Sequence, residues 1–594
     1  MKLETVLNNS SFYRTQLERY QLQLQSANKR LIFLGTARLT VFVSTALGLY
    51  FSFGNPILFG AIGLVGIVAF LVLVSKTMDA RVLKLTNQKL VEINTNELMV
   101  LKGDWSTFPD GSSYKNGQHP FSSDMDLFGQ QSIFQLINRT VSKKGEKLLV
   151  NNLLNGVSDV ETVNEAIDEF STKMEWCQQF LAAGMVQYAD SEEKTITKLK
   201  EIEAANIKVA KWGQWLLPIL FTSAVALYAF NIISGQYFGI FVVLELSFIG
   251  LNFKKTSALC DRVADYEKTI ALYANRIEQY QQLQISSPKM LELREKNFGS
   301  ESELIMSLRA LEKIQKRMSY RMNLLVGTIL NMCVAWDFRV ICQWEEWRQK
   351  YQAQLPEVEE HLTEMEVWIS GAIYHYNFPE TTFAHFNETD EVDISGLGHP
   401  FIPSEKRVLN DVKYAKNEQF YIITGPNMAG KSTFLRSIGW ALISANAGFP
   451  IMAKTCSMPR MKLYTSMRNT DDLKEESSYF YAELVRLRFI LDAIESGEKI
   501  FVILDEILKG TNSKDKELGS AGLMRKLANL HARGIIATHD LSLCNLANEN
   551  KAFSNYYFDS TIDKDELHFD YLLRQGTCKN MNASFLLQKM RLVD

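Results

Sequence analysis

The chain has no cluster of cysteines. Its seven, at positions 177, 260, 333, 342, 456, 544 and 578 of 594, form no C-x-x-C unit and have no histidine pair beside them. That excludes a sequence-legible zinc site or disulfide framework and leaves reduced, buried thiols in a cytosolic setting. Positive charge is not in surplus either. Lys and Arg number 64 against 67 Asp and Glu, a net charge of −3, which argues against a protein that mainly coats nucleic acid. The first thirty residues are polar and helix-forming and lack a signal-peptide layout. With 46% hydrophobic and 22% charged residues, large cores are available, and the length suggests about three to five domains.

Charge is missing altogether from some stretches. Leu31 to Phe53 is uncharged apart from Arg38, Gly54-Asn55-Pro56 makes a turn, and Ile57 to Ser75 carries none. Each run is close to the ~20 residues of a membrane span, and neither shows the polar face of a soluble helix. The pattern recurs: Trp215 to Ile233, the turn Ser234-Gly235-Gln236, then Tyr237 to Phe253. Lys29-Arg30, Lys76, Arg81, Lys208, Lys211 and Lys254-Lys255 flank the pairs on one side, and the turns carry no charge. This predicts two transmembrane hairpins, spans about 31–53, 57–75, 215–233 and 237–253, in the cell membrane, with both termini cytoplasmic. Glu245 stands mid-span, where a charge is costly; pairing inside the four-helix bundle, with Arg38 as candidate, is expected, and an ion pathway is the sharper reading.

The chemistry is concentrated in Tyr421 to Asp540. Thr424 is followed by Gly425-Pro426-Asn427-Met428-Ala429-Gly430-Lys431-Ser432-Thr433, a G-x-x-x-x-G-K-[ST] loop after an apolar strand (Phe420 to Ile423) and before a helical pattern (Phe434, Leu435, Ile438). Backbone N–H groups of such a loop cradle a triphosphate, Lys431 reaches the β/γ-phosphates, and Ser432 sits on Mg²⁺. Lys499 to Leu504 reads as a second strand, running beside the first, that ends in Asp505-Glu506. Asp505 is the expected Mg²⁺ ligand and Glu506 the base for an attacking water. A third strand, Gly534 to Thr538, ends in His539-Asp540, where the imidazole can sense the γ-phosphate. Catalytic candidates are therefore Glu506, Lys431 and His539, with ATP and Mg²⁺ as cofactors.

Residues 425–433 resemble the ATPase loop of the MutS family, which usually has Gly where Ala429 stands. Ser478-Tyr479-Phe480-Tyr481-Ala482-Glu483-Leu484 is similar to that family's signature segment, and residues 505–513 resemble its Walker B and following loop. Leu508-Lys509 replaces the usual Gly-Arg. Gly398-His399-Pro400-Phe401-Ile402 resembles the lead into the ATPase domain, and 126–149 the start of the core, or lever, domain. The resemblance implies an ABC-type α/β P-loop ATPase domain after an all-α lever region, and a homodimer in which Ser478 approaches the partner's γ-phosphate. The mismatch-binding Phe-x-Glu module, the connector and the DNA clamp have no counterpart here, so mismatch-specific DNA binding is not expected.

The expected organisation is an N-terminal helix with the first hairpin (1–100), a linker loop (101–125), lever helices (126–212), the second hairpin (213–255), further lever helices (256–380) and the ATPase domain (385–594). The function this predicts is a membrane-anchored MutS-like ATPase that couples ATP hydrolysis to rearrangement of lever helices, hairpins or a bound partner. The alternative is a membrane-tethered, ATP-gated clamp on duplex or branched DNA. Partners are then lipid, an unidentified protein, or DNA.

Overall fold

The computed structural model describes residues 2–188, 199, 201–202, 207–264, 266–298, 303–319, 324–467, 479–508, 512–563 and 566–578. Two long helices, α1 (Lys2–Phe51) and α2 (Pro56–Val100), lie side by side. At 1.5 Å per residue they run about 75 and 68 Å, so each apolar stretch is the outer part of one continuous helix. Asn55 caps α2 by accepting the Leu58 N–H at 3.3 Å, and Pro56 supplies its first turn. Small residues let the pair approach closely: a Cβ on Gly66 would stand 2.3 Å from Thr45 Oγ1, and one on Gly48 3.0 Å from Ile62.

The inner halves are rooted in the protein. Tyr13 of α1 donates to Asn377 Oδ1 (2.8 Å), and Asn377 Nδ2 donates to Glu97 Oε2 of α2 (2.7 Å). Arg139 Nε donates to Glu97 Oε1 at 2.5 Å, and its guanidinium lies 3.6 Å over the Phe108 ring. All four polar residues are buried. The helical body continues through α3 (Ile133–Ile137), α4 (Lys143–Asn155), α5 (Val160–Ser171) and α6 (Met174–Tyr188). After the second apolar pair, α7 (Ile207–Ala229) and α8 (Gly235–Ala264), come α9 (Glu267–Gln282), α10 (Pro288–Phe298) and α11 (Glu303–Ser319). Then follow α12 (Leu324–Val334), α13 (Trp336–Tyr351) and α14 (Leu355–Asn377), the central helix. On α14, buried Glu366 binds Arg276 of α9 (2.8 Å) and the Ser142 N–H and hydroxyl that open α4 (3.0 and 2.8 Å).

Among the described residues, α1, α2 and α7 are each long and apolar enough to cross a membrane. The two parts of α8, 235–251 and 256–263, meet at 54° and make a fourth if counted as one. Exposed Ile32, Phe33, Phe42, Tyr50, Phe51, Ile57 and Val65 on the first pair, and Trp212, Trp215, Phe230, Tyr237 and Leu251 on the second, line their outward faces. All seven cysteines are free, and all but Cys333 are buried.

Among the described residues, the C-terminal part holds two larger sheets and a two-stranded pair. The smaller has the order β1 (His385–Phe386), β5 (Thr455–Met458), β2 (Val392–Leu397), β3 (Asn410–Tyr414). The larger comprises β4 (Phe420–Thr424), β6 (Lys462–Ser466), β7 (Ile500–Asp505), β8 (Arg533–Ala537), β9 (Phe553–Tyr557) and β12 (Arg574–Gln575), in the order β12-β9-β4-β8-β7-β6. All its pairs are parallel except β12 with β9. Helix α15 (Lys431–Ala447) follows β4; α16 (Tyr479–Glu495) and α17 (Ser513–Asn529) flank β7. β10 (Thr561–Asp563) and β11 (Glu566–His568) form a separate antiparallel pair, so only β12 extends the sheet edge, and residues 579–594 lie outside the described residues.

One expectation is corrected here: β7 does not lie beside β4. β8 intervenes, because its Gly534 leaves room for two close neighbours; a Cβ there would stand 2.1 Å from the Val502 carbonyl oxygen. Chain order places a strand in the sheet only through its crossovers.

Residues 101–125, whose Gly, Ser, Asp and Pro content predicts a loop, are irregular apart from one short turn, and they are bound down along their length. Thr465 N–H of β6 donates to the Pro120 carbonyl at 2.9 Å. Asp124 Oδ2 accepts from the Thr465 hydroxyl (2.6 Å) and the Met467 N–H (3.1 Å). On α15, Trp440 Nε1 donates to the Met125 carbonyl at 2.7 Å, and Met125 fills the space over Gly439. The segment is a strap from the end of α2 onto the sheet domain. One hydrophobic core accordingly runs from Tyr20 and Leu90 through Met125 and Phe134 to Phe434 and Ile503.

Candidate nucleotide site

Five consecutive buried residues make β4 a central strand, and the loop after it turns only because of its backbone choices. Positive φ falls on Gly425 (150°), Met428 (67°) and Gly430 (99°). Ala429, where the resembling family usually has Gly, keeps negative φ and is buried, so its methyl group costs no strain. Gly425 is required sterically: a Cβ would stand 2.7 Å from the Phe558 carbonyl oxygen. Thr424 is pinned by donating to the Tyr556 carbonyl and accepting the Cys578 N–H.

Lys431 begins α15 inside the loop. Its ammonium donates to the Gly425 carbonyl (2.7 Å) and the Pro426 carbonyl (3.0 Å), and lies 3.5 Å from His539 Nε2. Burial holds its pKa below the ordinary lysine value, against the raising effect of Asp505 and Glu506. Ser432 donates to Asp505 Oδ2 at 3.0 Å. Glu506 Oε1 and His539 Nε2 are 2.9 Å apart, and both side chains are partly exposed. The structure thus gathers Lys431, Ser432, Asp505, Glu506 and His539 at the ends of β4, β7 and β8. Asn427 and Thr433 complete the loop, while Ser478 lies outside the described residues.

Among the described residues, no group of three or more His, Cys, Asp and Glu is placed to hold a metal ion. A Mg²⁺ ion bound to a nucleotide does not need one, since it keeps waters and phosphate oxygens and takes one or two protein ligands. The Ser432 hydroxyl against the Asp505 carboxylate fits that donor set.

The loop after β7 is strained. Glu506 (φ 53°) and Leu508 (φ 59°) both occupy the left-handed region, rare for such residues. Leu508 is held there by its N–H donating to buried Glu483 Oε1 at 2.5 Å and by its side chain packing on Gly519. The family's usual Gly at this position needs no such support. Leu therefore preserves the backbone shape at the cost of local strain.

Two features escape sequence reading. Tyr571, half exposed, lies against the loop, 3.0 Å from where a Gly430 Cβ would stand, and its carbonyl accepts from Asn410. No local pattern marks it, because its place depends on β11 and β12. The strap is the other; Asp124 reads as one more loop carboxylate until β6 is seen beside it.

Residues 421–591 match MutS domain V. The DNA mismatch repair protein MutS of Thermotoga neapolitana is 32% identical over 216 residues, 36% of this chain and 26% of that protein. MutS protein homolog him-14 of Caenorhabditis elegans is 32% identical over 185 residues, 30% and 22% respectively. MutS protein homolog 4 of Homo sapiens is 29% identical over 204 residues, 33% and 22%. Its C-terminal part is therefore similar to MutS-family proteins. It spans about a quarter of the length of the relatives it matches. MutS-family proteins are in general ATPases that act as dimers and bind DNA. The matched C-terminal region corresponds to MutS domain V, and a mostly helical region precedes it.

Proposed function

We propose that this chain is a membrane-anchored, dimeric MutS-like ATPase whose nucleotide cycle is transmitted to the first apolar hairpin through the strap. The carrying observation is continuity. Helix α2 ends at Val100, and the residues that follow are bonded to β6 and to α15, the helix that begins with Lys431. Movement of α15 on nucleotide binding pulls on the end of α2 directly.

Within the site, Lys431 and the N–H groups of residues 425–433 hold the triphosphate. Ser432 and Asp505 hold Mg²⁺, which when bound neutralises charge on the phosphate oxygens. Glu506 takes the proton from the attacking water as the γ-phosphoryl group leaves ADP. His539, on Glu506, orients that carboxylate and meets the γ-phosphate. Tyr571 offers an exposed ring beside the loop for the nucleotide base. Ser478 of one protomer completes the site of the other. With the uncharged turns outside, both termini and the ATPase domain lie in the cytoplasm.

A clamp on DNA is less well supported. Lys144 is tied to Glu359 (2.9 Å) and Lys143 to Glu146 (3.4 Å), so two lysines of the basic run that opens α4 are paired locally. The test is phosphate release from full-length protein in nanodiscs. Glu506→Gln should keep ATP binding and lose about 10²–10⁴-fold in turnover, whereas Lys431→Ala should lose binding. Wild-type turnover by Glu506→Gln contradicts the assignment. Stimulation by duplex DNA, and none by lipid, turns the reading towards the clamp.

A further inference from the structure

The second apolar pair is not closed. Between α7 and α8 lies a cavity of about 610 Å³, lined by Trp212, Leu216 and Leu220 on one helix and by Phe241, Glu245 and Phe248 on the other. Glu245 is 4% exposed, and neither carboxylate oxygen has a hydrogen-bond partner among the described residues. The pairing with Arg38 expected from sequence is not made. The cavity's other ionisable residue, Lys208, is exposed near the start of α7.

An acidic side chain without a partner in apolar surroundings is costly, and such residues mark ligand or ion sites. Three observations define what this one suits. The volume lies in the range of small-molecule sites, roughly 300–1,000 Å³. The lining is almost wholly apolar, so the body of the ligand must be apolar. The carboxylate shares the cavity with one indole and two phenyl rings, the combination that favours an ammonium group through charge and ring faces together. The outward faces of both helices are themselves apolar, with Trp215, Ile219 and Leu251 exposed, so a ligand dissolved in lipid has direct access.

We propose that the α7–α8 cavity binds a lipophilic cation, an amine or quaternary ammonium on an apolar body, with its charge on Glu245. The route from lipid rests on reading α7–α8 as membrane-inserted; the site itself does not.

The experiment uses quenching of tryptophan fluorescence in the full-length protein, held in uncharged maltoside micelles. The probes are 11-bromoundecyltrimethylammonium and 11-bromoundecyl sulfate, which match in chain length and differ in charge. The ammonium probe should quench saturably, an unbrominated alkylammonium should displace it, and Trp212→Phe should remove the saturable component. Glu245→Gln, shown folded by gel filtration, should raise the half-saturating concentration at least about tenfold, towards that of the sulfate. Arg38→Gln should leave it unchanged; marked tightening would show that Arg38 already holds Glu245 and overturn the proposal. Equal quenching by both probes in the wild type, or an unchanged Glu245→Gln, also overturns it. Because micelles replace the bilayer, these outcomes stand apart from the topology, which thiol labelling at Asn55→Cys and Gln236→Cys reads separately.

Discussion

Each apolar hairpin carries one buried glutamate, and the two are treated in opposite ways. Glu97, near the inner end of α2, receives Arg139 and Asn377, and Tyr13 of α1 closes the ring through Asn377. Glu245 of α8 has no such donors among the described residues. The helices differ in the same sense. α1 and α2 pack through Gly48 and Gly66 along continuous lengths, whereas α7 contains Pro218 and α8 bends by 54°. The second pair meets the body mainly through packing, with Gly213 and Phe248 on Phe338 and Arg339 over the Trp215 ring, and through the polar contacts Thr256 to Asp337 (3.4 Å) and Gln315 to the Val263 carbonyl (2.9 Å). The first pair is built as a strut and the second as a site.

Removing the carboxylate from each should expose the contrast most strongly. Glu97→Ala strands the buried Arg139 guanidinium and should cost about 3–5 kcal/mol, the usual penalty for half a buried pair. Glu245→Gln removes a charge that has no partner and should leave thermal unfolding unchanged or raise its midpoint. Equal losses from both, by thermal unfolding in the same detergent, would dissolve the distinction.

Glycine substitutions give a second, smaller contrast. Gly66→Val must displace Thr45 and should cost about 1–3 kcal/mol, as overpacked contacts do. Gly239→Ala meets nothing within 4 Å and should be close to neutral or slightly stabilising. Cross-linking of cysteines at Leu49 and Gly63 should weaken in the Gly66→Val background only.

Acid should loosen the strap. Within the strap, burial and Arg486 push His119 down to about 4, and beside it burial with Arg436 and Arg407 does the same to His399. Both are neutral when folded and take up protons when released. Their contribution is therefore complete above the ordinary histidine pKa near 6.5 and is lost as pH falls towards 4. Protease nicking of residues 101–125 should rise across that window.

Much of the candidate site's geometry was legible because it is local. A strand, a glycine turn and a lysine at fixed spacing carry their chemistry in nine residues, and Asp505-Glu506 need only an apolar run before them. The apolar stretches were legible from composition, and α1 and α2 extend well beyond them. What sequence could not give is non-local. The place of β8 between β4 and β7 follows from crossovers, Tyr571 reaches the loop through two short strands, and the strap looks like any polar loop. Leu508 is an intermediate case. Its departure from the family pattern was visible, but its left-handed backbone, supported by Glu483, was not.

The central claim is that nucleotide binding reaches the first hairpin through the strap. It is tested most directly by spin labels at Asn55→Cys in the Glu506→Gln dimer in nanodiscs, measuring the distance between protomers with and without ATP. The account predicts a shifted distance distribution on ATP, and loss of that shift when Asp124→Ala and Trp440→Phe release the strap while ATP binding is retained. An unchanged distribution on ATP, or a shift that survives release of the strap, would contradict it.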